Sequence, residues 1–234
     1  MNGLIRAAKT ETLKLTKRGK YKVFFLILLI LYAALRVAAN TAGTKGSGIV
    51  MGSFLLNYYL PFMAFLGVHD LISSEIRNRS IFLSLIAPVN RMTVYIAKCI
   101  AVWLLCALQM LALISIDYLF SFIGPMAGSS MQIVYALFDL IPLFTLIAFS
   151  AFISILFRNG AFSMLITLVL YAAMTLASPF VGLSPALFTS YLGWHTFLHG
   201  GMNLSGIMER ILAVAAPCAV FLTLGAIMLE RKKF

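Results

Sequence analysis

From Gly46 to His69 the chain carries no Asp, Glu, Lys or Arg. A helix needs roughly 20 apolar residues to cross the hydrocarbon core of a bilayer, and this run is long enough. Comparable runs recur, so that spans are expected at about 23–39, 49–68, 92–116, 133–156, 161–180 and 211–229. A water-soluble domain cannot hide that much apolar surface, because much of it must face solvent. The whole chain is 62% hydrophobic with a mean hydropathy of +1.01, against about 45–50% apolar residues in soluble domains. The expectation is an all-α membrane protein with six transmembrane helices. It forms a single transmembrane domain over 1–234, with no room for a soluble one.

Charge placement orients the spans. The net charge is +11, from 18 basic and 7 acidic residues. If the N-terminus lies in the cytosol, only Arg36, Lys45 and Arg210 fall outside and the other 15 cations fall inside. The positive-inside rule therefore places both termini in the cytosol. Because the cations follow topology, no nucleic-acid partner is expected. Cys99, Cys106 and Cys218 are an odd number inside apolar runs and read as small buried hydrophobes, not a disulfide frame. Residues 1–20 are basic and amphipathic. Leu4, Ile5, Ala8, Thr12 and Leu15 share one helical face, while Arg6, Lys9, Lys14 and Lys17 point largely elsewhere. This pattern predicts an N-terminal amphipathic interfacial helix with its cations near anionic headgroups, retained because no small-residue cleavage site follows it.

The polar stretch 69–91, between the second and third spans, holds the densest signal. Ser73 or Ser74 is a candidate helix cap. Glu75 and Arg79 stand at i,i+4, a supportive pair. Ile81, Phe82, Leu85 and Ile86 give a short apolar face, Pro88 ends it, and Asn90 can cap the next span. The pattern predicts a short amphipathic helix across the cytosolic mouth. It fits either an ordinary interfacial loop or a docking helix for a cytosolic partner.

The run from Glu75 to Arg91, followed by Tyr95-Ile96-Ala97-Lys98, resembles the signature of ABC-2 type ABC transporter permeases. The match is carried by Glu75, Leu83, Leu85, Pro88, Arg91 and Lys98. It departs at Arg79-Ser80, where Gly-Thr is common in the family. With its Asn78-Arg79-Ser80 variant the chain is similar to the small permeases of bacitracin and lantibiotic export. The resemblance implies an export subunit of the bacterial plasma membrane, paired with two copies of a separate ABC ATPase and with a second permease copy or paralogue. It implies that Glu75, Arg77, Arg79, Ile81, Phe82, Leu85, Pro88 and Arg91 form an ATPase-coupling helix. It also implies short outer re-entrant helices within 181–210, before the sixth span. The chain holds no G-x-x-x-x-G-K-[ST] phosphate loop. No cofactor is expected in this chain itself; ATP and Mg would be bound by the partner ATPase, so the chain is not itself an enzyme.

Charged residues near lipid are costly and normally face a partner or a cavity. Arg36, Asp117, Asp139 and Arg210 lie at similar depth, which suits interhelical or dimer-interface pairing, a place in the substrate path, or a proton relay. In the outer segment, Ser184-Pro185 and Ser205 are helix-start signals. His195 and His199 stand at i,i+4 but nothing completes a ligand set, so no metal site is expected. The competing functional class is an ion- or proton-coupled secondary transporter using Asp139. That class usually shows inverted repeats with broken helices, and no convincing repeat is found.

Overall fold

A computed structural model of the chain describes residues 2–41, 47–77, 91–123, 131–157, 159–181 and 204–231. All regular structure among them is helical. The helices are α1 (Asn2–Lys17), α2 (Gly19–Thr41), α3 (Ser47–Val68), α4 (Ser74–Arg77), α5 (Arg91–Ile123), α6 (Met131–Leu156), α7 (Gly160–Val181) and α8 (Leu204–Arg231). A π-helical turn, His69–Ser73, joins α3 to α4 without a break.

Four described stretches are long and apolar enough to cross a membrane: Met92–Ile116, Leu137–Leu156, Gly160–Ala177 and Ser205–Arg231. They lie on α5, α6, α7 and α8, where the hydropathy runs place them. The expected third span, 92–116, is matched at both ends by Met92–Ile116, and the helix that carries it continues to Ile123, because no breaker follows until Gly124-Pro125. One boundary differs from the sequence reading. Ser205 does not head a separate short helix; it sits in the first turn of an unbroken α8. The turn between α6 and α7 falls where Phe157 to Gly160 predict it, with the Asn159 carbonyl accepting from Ser163 N at 3.0 Å. The coupling-segment residues Arg79, Ile81, Phe82, Leu85 and Pro88, and the outer segment 182–203 with its expected re-entrant helices, lie outside the described residues.

The most central of the four candidate spans is α6, with 78% of its window buried, against 44% for α5, 22% for α7 and 17% for α8. Leu143, Leu146, Ile147 and Ala151 of α6 are sealed in the core with Leu60, Met63 and Phe65 of α3 and Val102 and Cys106 of α5. Large apolar side chains on the outer faces stay exposed, among them Leu165, Val169 and Leu176 of α7 and Leu26, Ile27 and Ile30 of α2. Such faces suit lipid, where packing and hydrogen bonds between helices, not exclusion from water, hold a bundle together.

Several of those packing devices are visible. Gly67 lets Val102 approach to 3.1 Å of where a Cβ would stand, and Gly225 does the same for the Tyr95 hydroxyl. Pro142 and Pro217 each remove one N–H from the interior of α6 and α8. Side-chain donors meet carbonyls nearby: Trp103 Nε1 bonds Leu140 O at 2.8 Å, and Thr145 Oγ1 bonds Val214 O at 3.2 Å. Phe149 meets Phe221 edge-on at 5.2 Å. Both the Thr145–Val214 and Phe149–Phe221 contacts advance in the same direction, so α6 and α8 run parallel.

α1 packs against α5, burying Ala8, Glu11 and Leu15. The buried stripe therefore includes an acid, while Ile5 of the expected apolar face is 57% exposed. Lys14 and Lys17 fall in its last turn, where cations complement the helix dipole. The chain bends at Arg18 and restarts at Gly19.

Candidate functional site

At the end of the bundle where α1, the α3–α4 junction and the start of α5 meet, two groups of charges are folded into the protein. The first is built around Lys98. About two turns into α5, its side chain is only 3% exposed. An unpaired ammonium there would cost several kcal/mol or more. Its Nζ donates to Glu75 Oε2 at 2.7 Å and lies 3.4 Å from Glu11 Oε2. Lys14 closes the ring from the outer side, 2.8 Å from Glu11 Oε1 and 3.7 Å from Glu75 Oε1. Two carboxylates and two ammonium groups balance. Burial works against the Lys14 charge, but the hydrogen bonds and charges of Glu11 and Glu75 outweigh it and hold its pKa above the usual lysine value.

The second group is built around Asp70, in the π-turn. That turn buries four consecutive residues, Asp70, Leu71, Ile72 and Ser73. An ordinary surface helix would show one of them to solvent. π-Turns interrupt α-helices rarely and often at functional sites. Asp70 accepts hydrogen bonds from Tyr21 Oη at 2.6 Å and Lys20 Nζ at 2.7 Å, and pairs with Arg18 Nη1 at 3.1 Å. Burial alone would raise the carboxyl pKa. The hydrogen bonds from Lys20 and Tyr21, with the charges of Lys20 and Arg18, outweigh it and hold Asp70 below the usual carboxylate range. Burial and the Asp70 hydrogen bond push the Tyr21 phenol far above its ordinary value.

A neutral polar band ties the same turn to α7. Ser163 Oγ donates to Gly160 O at 2.8 Å, and the hydroxyl of Ser73 stands 3.2 Å from it. Ser73 Oγ also lies 3.5 Å from the Ser154 carbonyl, so either hydroxyl can be the donor between the two serines. The His69 ring lies directly against Gly160, leaving no space for a Cβ.

Together these contacts bind α1, the first turn of α2, the π-turn, and the starts of α5 and α7 into one unit. From it the chain leaves at Arg77 and returns at Arg91. Of the expected coupling residues, Glu75 is described in full and sits in the Lys98 group. Arg77 and Arg91 stand on α4 and α5, and their side chains are outside the described set, as are those of Arg36 and Asp117. Asp139 is 3% exposed on α6 and Arg210 half-buried on α8. Both precede the Thr145–Val214 contact on parallel helices, so they lie toward the same end of that pair.

The reading of the sequence missed Glu11 and Asp70 as partners and left Lys98 as a motif residue with no role. A signal existed. The chain has only seven acids, and Glu11, Asp70 and Glu75 are three of them, all on the side of the membrane where the sequence also gathers its cations.

Two grooves open between the apolar helices. One, of about 510 Å³, lies among α5, α6 and α8, against Trp103, Phe144, Thr145, Val214 and Cys218. The other, of about 590 Å³, lies between α3 and α7.

Four apolar stretches long enough to cross a membrane among the described residues, with their outer faces left apolar, define a multi-pass membrane protein. The particular kind follows from comparison: residues 7–174 match the ABC-2 family transporter protein family. The match covers more than half of the chain, and the protein belongs to that family. It is thus a membrane permease of the ABC transporter type, a class that generally pairs with an ABC ATPase. No curated protein matches the chain.

Proposed function

We propose that the chain is the permease subunit of an ATP-driven exporter and moves an amphipathic substrate (a peptide, a lipid or a drug-like molecule) across a bacterial plasma membrane. On this reading α2 and α3 are the first two of six spans, both termini are cytosolic, and α1 lies along the inner membrane surface. Two ATPase subunits, binding ATP and Mg, act on two permeases, identical or paralogous. The segment around Glu75 to Pro88 is the coupling helix. The likeness to bacitracin and lantibiotic exporters rests on Asn78-Arg79-Ser80 and favours peptides among the substrates.

One observation carries the reading: Glu75, at the root of that segment, is locked to α5 through Lys98 and to α1 through Lys14. A force applied to 78–90 by a closing ATPase is then delivered to a spanning helix at a buried charge pair. A rigid-body change of the dimer would follow. The test is ATP hydrolysis. The purified chain alone should hydrolyse none, and an ABC ATPase that co-purifies with it should be stimulated by transport substrate. In the Glu75→Ala variant that stimulation should fall while binding of the ATPase persists. A chain recovered from its native membrane with no ABC ATPase overturns the proposal.

Asp139, buried within a spanning stretch, favours a second reading, in which transport is driven by ions or protons. A dissipated proton gradient would abolish transport under that reading and leave it intact under the first.

A further inference from the structure

We propose that the groove between α3 and α7 is a binding site for the cationic group of an amphipathic ligand, recognised by tyrosine and phenylalanine rings. Five rings line it: Tyr58, Tyr59, Phe62 and Phe65 from α3 and Tyr171 from α7, with Thr175 one turn further along α7. Phe65 and Tyr171 join the two walls edge to face, with centroids 5.6 Å apart.

The position of the tyrosines needs an explanation. Membrane tyrosines gather at the two interfaces, where the hydroxyl meets water and the ring meets lipid. Tyr58, Tyr59 and Tyr171 each stand about three turns from either end of a 22-residue helix. On the six-span transport reading, on which this inference rests, that is near the bilayer midplane. There a phenolic hydroxyl is hardest to satisfy, and polar groups at such depth mark function. The buried hydroxyl of Tyr59 has no hydrogen-bond partner among the described residues.

The chemistry of the lining selects the ligand. The groove residues include no acid and no base. A plain hydrocarbon would be held as well by leucines and has no use for five aromatic rings. An anion meets the negative ring faces with no cation to offset them. A lipophilic cation is attracted by those faces, most strongly where water is excluded. The groove among α5, α6 and α8 makes the contrast: its lining is mostly aliphatic, suited to an acyl chain.

The test uses the full-length chain purified in an uncharged maltoside micelle, so that the surroundings add no charge preference. The probes are a spin-labelled long-chain trimethylammonium and its uncharged tert-butyl isostere, with the immobilised fraction read by electron paramagnetic resonance. Wild type should bind the cation about tenfold more tightly than the isostere. That preference should persist in Tyr58→Phe and Tyr171→Phe, which keep the rings, and fall toward unity in Tyr58→Leu and Tyr171→Leu, which keep only apolar bulk. Equal binding of the two probes by wild type, binding of neither, or a preference that survives both leucine variants overturns the inference. The wild-type comparison stands even if a variant does not fold. No ATPase is present in the experiment. A chain that prefers the cation yet couples to no ATPase sinks the export reading alone, and one that couples but ignores charge sinks only this site.

Discussion

Lys98 Nζ donates to Glu75 Oε2 at 2.7 Å, linking the one expected coupling residue whose side chain is described to the first turns of the longest helix among the described residues. Glu11 approaches the same ammonium from α1 at 3.4 Å, as an ion pair without hydrogen-bond geometry on its Oε2. A buried charge needs its partners more than they need it. Lys98 is nearly sealed, whereas Lys14 keeps 49% of its side chain exposed. The four groups are therefore unequal, and substitution should reveal the order.

Lys98→Met leaves two carboxylates facing each other in a closed site and should destabilise the protein by about 3–5 kcal/mol. Lys14→Ala removes a screened, half-exposed partner and should cost no more than about 1 kcal/mol. Adding Glu75→Gln to Lys98→Met should restore part of the loss, since contacting charges couple by about 0.5–3 kcal/mol. Thermal unfolding of the four proteins in one detergent measures all three expectations. Equal effects of Lys98→Met and Lys14→Ala would contradict the burial argument.

Acid should loosen the junction of α2 with the π-turn. The folded Asp70 carboxyl is held below its usual range, so near its unfolded value of about 3.9 the unfolded chain binds the proton more readily. Where the unfolded state holds more protons, stability rises with pH. The contribution of Asp70 is thus complete above that unfolded value and is lost as pH falls through the folded one. In Asp70→Asn that low-pH slope should flatten, while the protein starts from a lower plateau at neutral pH. Unfolding midpoints measured from pH 7 down to pH 3 test both features.

Gly225 is a contact surface. The Tyr95 hydroxyl occupies the space a Cβ would need there, and it is buried without a hydrogen-bond partner among the described residues. Gly225→Ala should therefore overpack the α5–α8 crossing, at a cost of about 1–3 kcal/mol. Tyr95→Phe removes the colliding oxygen together with its unmet hydrogen bond. Alone it should be neutral or stabilising, and combined with Gly225→Ala it should recover part of the loss. The comparison of the double variant with the sum of the single ones is made by thermal unfolding.

What the sequence disclosed and what it concealed divide along a physical line. The spans on α5 to α8 were legible because a helix in lipid must be apolar on nearly every face, and hydropathy registers that directly. The break between α6 and α7 was legible because Arg158-Asn159-Gly160 interrupts two long apolar runs. The Lys98 group was not. Glu11, Glu75 and Lys98 come from three separate helices, and no local period connects them. Glu75 looked like half of an i,i+4 pair with Arg79, and its described partners are Lys98 and Lys14. The π-turn was hidden too. One extra residue per turn leaves no mark in a hydropathy pattern, and neither does the burial of four consecutive residues, Asp70 to Ser73.

Asp139 separates the two functional readings. It is buried in the most enclosed candidate span, on a helix parallel to and packed against the one that carries Arg210. If Asp139 serves the structure as a polar anchor, Asp139→Asn keeps its shape and its capacity to accept hydrogen bonds. Transport driven by ATP should then stay within a few-fold of wild type, with a modest drop in thermal stability of about 1–3 kcal/mol for the weakened polar contacts. If Asp139 carries the driving ion or proton, the same change abolishes transport and leaves the fold intact, because asparagine cannot take up and release a proton. Uptake of substrate into inverted vesicles, measured with ATP alone and with a proton gradient alone, distinguishes the two. Export predicts ATP-dependent uptake in both proteins; loss of transport in a stably folded Asp139→Asn variant would move the mechanism to the ion-coupled class.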